Sequence, residues 1–135
     1  MTDIYRLTLQ DSEGLAPERR SETQVLEFLT ERITVRELIR SRVYQEVKDY
    51  NARQPEYFRG LVRPAEAERT LNGYRLRQRR LLDWQEQFEA ALKAFANNGF
   101  LILVDEEQAT DLEEEIVIAP GAAVTFIKLA PLVGG

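Results

Sequence analysis

The residues ITVRELIRSRVYQEVKDYN (33–51) contain the clearest local signal in this chain. Thr34 precedes Glu37 by three positions, a spacing typical of a capping box at the start of a helix. Apolar side chains then recur at helical spacing, at Val35, Leu38, Ile39, Val43, Val47 and Tyr50. We therefore predict an amphipathic helix over Val35–Asn51 that buries this stripe.

Two predicted strands precede this helix. Three alternate side chains within Asp3–Leu9 are apolar, namely Tyr5, Leu7 and Leu9, and this alternation is typical of a half-buried strand. A second strand is predicted over Glu22–Leu29, after a polar loop over residues 10–20. The order strand, loop, strand, helix is that of the opening of a β-grasp fold, in which the helix lies across the sheet.

Strand patterns return in the last third of the chain. Short apolar runs predict strands over Phe100–Val104, Ile116–Ile118 and Ala122–Leu129, with a turn at Ala119–Gly121. The acidic stretch Asp105–Glu114 is predicted to be irregular. Together these segments predict an α+β protein whose mixed β-grasp sheet has four or five strands and one crossing helix.

The residues between the two halves of this sheet are interpreted as a helical insertion. A short helix is predicted over Ala65–Leu71, followed by a turn or helix stop at Asn72-Gly73. A longer helix is predicted to start after Asp83 and to end at Asn97-Asn98-Gly99, where the glycine would supply the left-handed residue.

The predicted domains follow from these elements. Residues 1–51 and 99–135 form the β-grasp domain, with 130–135 as a flexible tail, and residues 52–98 form the insertion. The longer insertion helix carries an apolar stripe made of Leu82, Trp84, Phe88, Ala91, Leu92 and Phe95. We predict that this stripe packs inside the insertion or on the sheet, whereas an exposed stripe would indicate a partner site.

The amino-acid composition excludes most kinds of catalytic site. The 135 residues include no cysteine and no histidine, which excludes disulfides, thiol nucleophiles, Ser-His-Asp triads and nearly all zinc sites. Carboxylate chemistry stays formally open, but we expect no catalytic residue and no stand-alone enzyme. The net charge is −5. No apolar stretch of spanning length and no signal-peptide pattern is present, so we expect a cytoplasmic protein.

The last predicted strand leads into a tail that ends in Gly134-Gly135. A slim, flexible end suits a carrier whose terminal carboxylate must enter an enzyme, because glycine has no Cβ. Pro131 cannot donate to a sheet ladder and would end the strand. Leu132 and Val133 would fill small apolar pockets of an activating enzyme. The reacting group would be the main-chain carboxylate, so no side-chain nucleophile is required.

Several stretches carry a family resemblance. FLILV (100–104), LEEEIVI (112–118) and PGAAVTFIKLAPLVGG (120–135) combine a strand, a glycine-containing turn, a Val-x-Phe strand, a proline-containing tail and Gly-Gly. TVREL (34–38) matches a Thr-Val-x-x-Leu helix start. In these features the chain resembles the molybdopterin-synthase small subunit and thiamine sulfur-carrier family of ubiquitin-like proteins. The resemblance covers roughly residues 1–50 and 100–135.

This resemblance implies a reaction at the C-terminus. An adenylating enzyme of the ubiquitin-activating type would use ATP to activate the carboxylate of Gly135, so the chain itself would bind no cofactor. The adenylate would become a thiocarboxylate for a sulfur-acceptor enzyme, or would pass through a conjugating enzyme to an amine of a target protein. The insertion departs from the minimal sulfur carriers and favours a bacterial ubiquitin-like modifier.

Two segments of the chain are strongly charged. The insertion contains Arg59, Arg63, Arg69, Arg75, Arg77, Arg79 and Arg80. Of these, Arg75, Arg77, Arg79 and Arg80 are a candidate docking face for an acidic partner, with a merely solvated face as the alternative. Nucleic acid is not the expected partner because the chain is acidic overall. The acidic run 105–115 lacks the loop spacing of a calcium site and is predicted to be a solvated loop without metal.

Three functions stay open at this stage. The chain is a ubiquitin-like modifier, a sulfur carrier that forms a C-terminal thiocarboxylate, or a non-reactive protein-interaction module. Deleting Gly134-Gly135 should abolish the first two functions and leave partner binding in the third.

Overall fold

The computed structural model describes residues 3–13 and 20–129. Along them the elements are β1 (Tyr5–Glu13), β2 (Arg20–Phe28), β3 (Arg32–Thr34), α1 (Val35–Arg53), β4 (Ala67–Thr70), β5 (Gly73–Leu76), α2 (Trp84–Ala96), β6 (Phe100–Val104), β7 (Glu107–Ala109), β8 (Glu115–Val117) and β9 (Ala123–Lys128). The protein is α+β with a mixed sheet, which confirms the predicted class at that level.

The chain divides into two compact units. Unit 1 comprises Met1–Leu38 and Phe95–Gly135, and unit 2 comprises Ile39–Ala94. Helix α1 begins in unit 1 and continues into unit 2, whereas α2 lies almost entirely in unit 2. The predicted domain boundaries after residues 51 and 98 stay a prediction.

The main sheet of unit 1 has five strands in the order β2-β1-β9-β6-β7. Neighbours are antiparallel except β1 and β9, which run parallel from Thr8↔Ala123 to Glu13↔Lys128. The last strand in sequence is therefore a central strand of the sheet. A parallel pair needs a long crossover connection, and here the chain between β1 and β9 supplies the other elements.

Alternation along the strands builds the core of unit 1. Leu7 and Leu9 on β1 are buried, as the predicted pattern requires, and Val124 and Phe126 on β9 have no exposed surface. Phe126 lies opposite Ile102 on β6. Residues at every second position point to the same face of a sheet, so these side chains form one apolar layer.

Helix α1 begins as predicted, with its first amide groups satisfied. The N–H of Glu37 donates to Thr34 Oγ1 at 3.1 Å. The N–H groups of Val35 and Arg36 donate to the carbonyls of Glu114 and Leu112 at 3.0 and 2.9 Å. The first turn of a helix leaves such donors without intrahelical partners. All six predicted stripe residues are buried.

Unit 2 contains a β-hairpin where a short helix was predicted. Ala65–Leu71 is not helical, because Ala67–Thr70 pairs with Gly73–Leu76 as β4 and β5. The turn decides this outcome: Thr70 Oγ1 accepts from the N–H of Asn72 and donates to the carbonyl of Gly73, and Gly73 adopts a φ of 126° that glycine alone tolerates well. The insertion is therefore one helix and one hairpin, not two helices.

Other local predictions also require correction. The predicted loop over 10–20 is shorter, because β1 extends to Glu13 and β2 begins at Arg20. The acidic stretch contains the strand β7, and β3 was not predicted; it pairs with β8 in a separate two-stranded sheet. The left-handed residue after α2 is Asn98, with φ 57°, rather than Gly99, since asparagine tolerates this conformation.

Candidate functional site

The candidate site begins where β9 leaves the sheet. Lys128 lies between Phe100 of β6 and Glu13 of β1. The N–H of Leu129 donates to the carbonyl of Gly99 at 3.2 Å, which holds the chain beside the start of β6. The tail residues Pro131, Leu132, Val133, Gly134 and Gly135 lie outside the described residues.

The strand that precedes the tail is firmly anchored. The ring centroid of Phe126 is 6.0 Å from that of Phe100, which in turn is 5.9 Å from that of Phe95. All three rings are buried. Aromatic pairs at this distance add about 0.5–1.5 kcal/mol to the free energy of their burial. The end of β9 is therefore anchored by the core of unit 1.

The outer face of the sheet adjoins the same exit point. On β9 this face carries Thr125 and Ile127, which lie opposite Leu103 and Leu101 of β6. Ile127 is buried and both leucines are half-buried. On the other side of β9, the outer face is polar, with Gln10 opposite Thr125. Ser12, opposite Ile127 on β1, is also buried, so the accessible part of this face lies at the half-buried Leu101 and Leu103 of β6.

The four arginines predicted as a docking face lie on and after β5. Arg75 Nη2 is 3.1 Å from Glu68 Oε2 across the hairpin, and this hydrogen bond and charge raise the pKa of Arg75. Arg79 and Arg80 donate to the backbone carbonyls of Gln54 and Ala65. Carbonyl partners orient these guanidinium groups and leave their charge un-neutralised. Arg77 is exposed and makes no hydrogen bond or ion pair with any described residue.

An aromatic cluster in unit 2 differs from the predicted apolar stripe. Trp84 and Phe88 are only half-buried, and Trp84 packs edge-on against Tyr44 of α1, with ring centroids 5.4 Å apart. The guanidinium carbon of Arg40 lies 5.2 Å from the Trp84 ring centroid. The buried line of α2 instead includes Gln87, Ala91 and Phe95. Residues 40 and 44 are one turn apart on α1, and that spacing is the signal from which this cluster could have been predicted.

A buried ion pair in unit 2 was also not predicted from the sequence. Arg42 Nε lies 3.2 Å from Glu46 Oε1, and the two side chains are 3% and 9% exposed. The same carboxylate oxygen accepts the N–H of Leu61 at 3.3 Å. Both residues lie within the buried stripe of α1, and an i,i+4 charge pair inside such a stripe is the signal for it.

Two carboxylates of the acidic run form ion pairs with arginines of unit 1. Glu113 accepts from Nε and Nη2 of Arg36 at 2.9 and 2.7 Å, and Glu115 lies 3.5 Å from Arg32. Glu113 lies just before β8 and Glu115 is its first residue, so the two ion pairs hold β8 beside β3 and the start of α1. Among residues 3–13 and 20–129, no group of three or more Asp, Glu, His or Cys side chains is arranged to hold a metal ion.

The comparisons with known proteins do not identify a relative. No known protein family, curated protein or solved structure matches this chain. In the part of the chain that the structure describes, neither helix has the length and apolar character that crossing a membrane demands. Any functional assignment therefore rests on the residues and their arrangement.

Proposed function

We propose that this chain is a ubiquitin-like β-grasp modifier that is activated at the C-terminal carboxylate of Gly135 by an adenylating enzyme. The observation that carries the proposal is the position of β9. This strand is the last among the described residues, occupies the centre of the sheet and ends one residue before the segment that leads to Gly134-Gly135.

The sheet order supports the β-grasp part of the proposal. Numbered by their order along the chain, the strands of the main sheet lie in the order 2-1-5-3-4, with the first and last parallel and adjacent. A helix, α1, follows the second strand. The strands β1 and β2 form one antiparallel pair and β6 and β7 form another, on opposite sides of β9. A β-grasp fold has this arrangement, and the additional hairpin and α2 constitute the insertion.

The anchoring of β9 supports the carrier part. A carrier must present one fixed exit point, because the activating enzyme must find the terminal carboxylate at a reproducible distance from the docked domain. Burial of Val124 and Phe126 fixes β9, and the outer face beside it offers a surface for docking. In the proposal, Pro131, Leu132 and Val133 occupy the channel of the activating enzyme, and Gly134-Gly135 reaches its reactive atom.

The proposed chemistry takes place on the main chain. The Gly135 carboxylate attacks the α-phosphorus of ATP bound by the partner, which forms an acyl adenylate and releases pyrophosphate. A cysteine thiolate of the partner then displaces AMP, and a target amine displaces that thiolate to form an amide. Because the chain has no cysteine or histidine, every catalytic group would come from the partners. We place the protein in the cytoplasm, without membrane or nucleic-acid partners.

Pyrophosphate exchange tests the activation step. The full chain is incubated with a candidate adenylating enzyme from the same cells, ATP and labelled pyrophosphate, and label entering ATP is measured. We expect exchange with the full chain and none after deletion of Gly134-Gly135. A variant with one alanine added after Gly135 is the matched control, because it keeps every residue but displaces the carboxylate. Exchange that survives both changes would refute the proposal.

Mass spectrometry of the protein from its own cells separates the modifier from its rivals. A branched peptide that joins Gly135 to a lysine of a second protein identifies a modifier and its target. A terminal thiocarboxylate without conjugates identifies a sulfur carrier that hands sulfur to an acceptor enzyme in cofactor biosynthesis. If the carboxylate stays unmodified in the presence of the adenylating enzyme, the remaining candidate function is that of a non-reactive interaction module.

A further inference from the structure

Unit 2 presents a strongly basic surface segment. We define the basic hairpin segment as residues 59–80, which contain seven arginines and two glutamates, a net charge of +5. Arg63, Arg69 and Arg77 are exposed and make no ion pair or hydrogen bond within the described residues. Arg75 pairs with Glu68, which neutralises one guanidinium of this segment. The segment therefore has positive charge available for a partner.

Unit 1 presents the opposite charge. We define the acidic segment as residues 105–115, which contain seven carboxylates and no basic residue, a net charge of −7. Arg36 and Arg32 pair with Glu113 and Glu115. The other five carboxylates are exposed and make no ion pair within the part of the chain described, namely Asp105, Glu106, Glu107, Asp111 and Glu114. Their charge is also available for a partner.

The basic hairpin segment exposes one aliphatic side chain, and another is exposed just after the acidic segment. Leu71, at the tip of the β4–β5 hairpin, is fully exposed, and Val117 of β8, two residues after the acidic segment, is 45% exposed. An apolar group within a charged rim is a common composition for a protein contact surface. The two segments are thus complementary in charge and matched in apolar content.

We propose that the basic hairpin segment of one copy binds the acidic segment of a second copy, so that the protein forms a reversible homodimer. A two-fold axis would make this contact twice, and such closed pairs are the commonest symmetric oligomers. The units as wholes carry net charges of +4 for Ile39–Ala94 and −9 for the rest of the chain. The total of −5 on each copy repels at long range, so the contact is weak and depends on ionic strength. This inference is independent of the tail chemistry.

Sedimentation velocity on the full chain tests the proposal. We expect a concentration-dependent dimer at about 0.01 M salt that dissociates at about 1 M, since the Debye length falls from roughly 30 Å to roughly 3 Å. A charge-reversed hairpin, Arg69→Glu with Arg77→Glu, should weaken self-association about tenfold, because each exposed pair contributes little alone. Glu107→Lys with Glu114→Lys should do the same.

Mixing the two charge-reversed proteins is the decisive measurement. The reversed side chains of one variant then face those of the other, so we expect the heterodimer to be tighter than the homodimer of either variant. Lys48→Glu with Lys93→Glu is the matched control for the hairpin variant, because it changes the net charge by the same amount and sign at exposed helix positions outside both segments; it should leave the dimer intact. A wild type that is monomeric at low salt, or mixed variants that stay monomeric, would overturn the proposal.

Discussion

Arg42 and Glu46 place two charges in an otherwise apolar stripe of α1. Their side chains are almost fully buried, and Glu46 Oε1 also accepts the N–H of Leu61. Removal of two ions from water costs several kcal/mol per ion, and mutual attraction repays this only with good geometry and further hydrogen bonds. The pair therefore fixes the position of the Leu61 loop against α1 more than it adds net stability.

Single and double substitutions distinguish these two contributions. Glu46→Ala leaves the Arg42 guanidinium buried without this carboxylate partner and the Leu61 N–H without its acceptor, so we expect a loss of about 3–5 kcal/mol in the free energy of unfolding. Arg42→Met with Glu46→Leu removes both charges and should cost much less. Urea unfolding of the single variants Arg42→Met and Glu46→Leu and of this double variant gives the coupling free energy. Additive losses in the double variant would contradict this account.

At the scale of elements, capping and periodicity predicted most of unit 1. Thr34 and Glu37 placed the start of α1 correctly, and the alternation of Leu7 and Leu9 placed β1, because both signals are local. The hairpin β4–β5 was mispredicted since Ala65–Leu71 has ordinary helix formers. Its strand conformation depends on pairing with residues beyond Gly73, which propensity does not encode.

The candidate site was predictable only in part. The tail and the arginines of residues 75–80 are visible as composition, whereas the Tyr44–Trp84 contact and the Arg42–Glu46 pair depend on which side of a helix faces its neighbours. The central place of β9 also could not be read from local sequence. It results from parallel pairing with β1, more than a hundred residues earlier.

The β6–β7 turn offers a test at this same scale. Asp105 and Glu106 have φ angles of 50° and 69° between the paired residues Val104 and Glu107. A left-handed conformation costs a residue with a Cβ roughly 1–2 kcal/mol. Glu106→Gly should therefore raise the free energy of unfolding by about 1 kcal/mol, measured by urea denaturation. Glu107→Gly loses the same charge from an extended position and should destabilise by about 0.5–1 kcal/mol. A loss in both variants would show that the turn is unstrained.

At the scale of the whole molecule, the chain folds its last strand into the centre of its sheet before it enters the tail. Unit 1 therefore cannot complete its core until β9 has paired with β1 and β6. Contacts between such distant residues form late and slowly in most proteins. The proposed reactive tail would therefore follow one of the most buried strands, in which Val124 and Phe126 have no exposed surface.

This arrangement predicts that stability and activation can be separated by two changes near the same end of the chain. Deletion of Gly134-Gly135 removes no residue of the described core, so the free energy of unfolding should stay within about 0.5 kcal/mol of the wild type while pyrophosphate exchange is lost. Phe126→Ala should cost about 3–5 kcal/mol because it leaves a cavity beside Phe100. Exchange should nevertheless persist in whatever fraction remains folded, because this variant keeps the tail. Urea unfolding and exchange assays on both variants check this. If the deletion destabilises the protein as much as Phe126→Ala does, the glycines belong to the folded structure rather than to a reactive end.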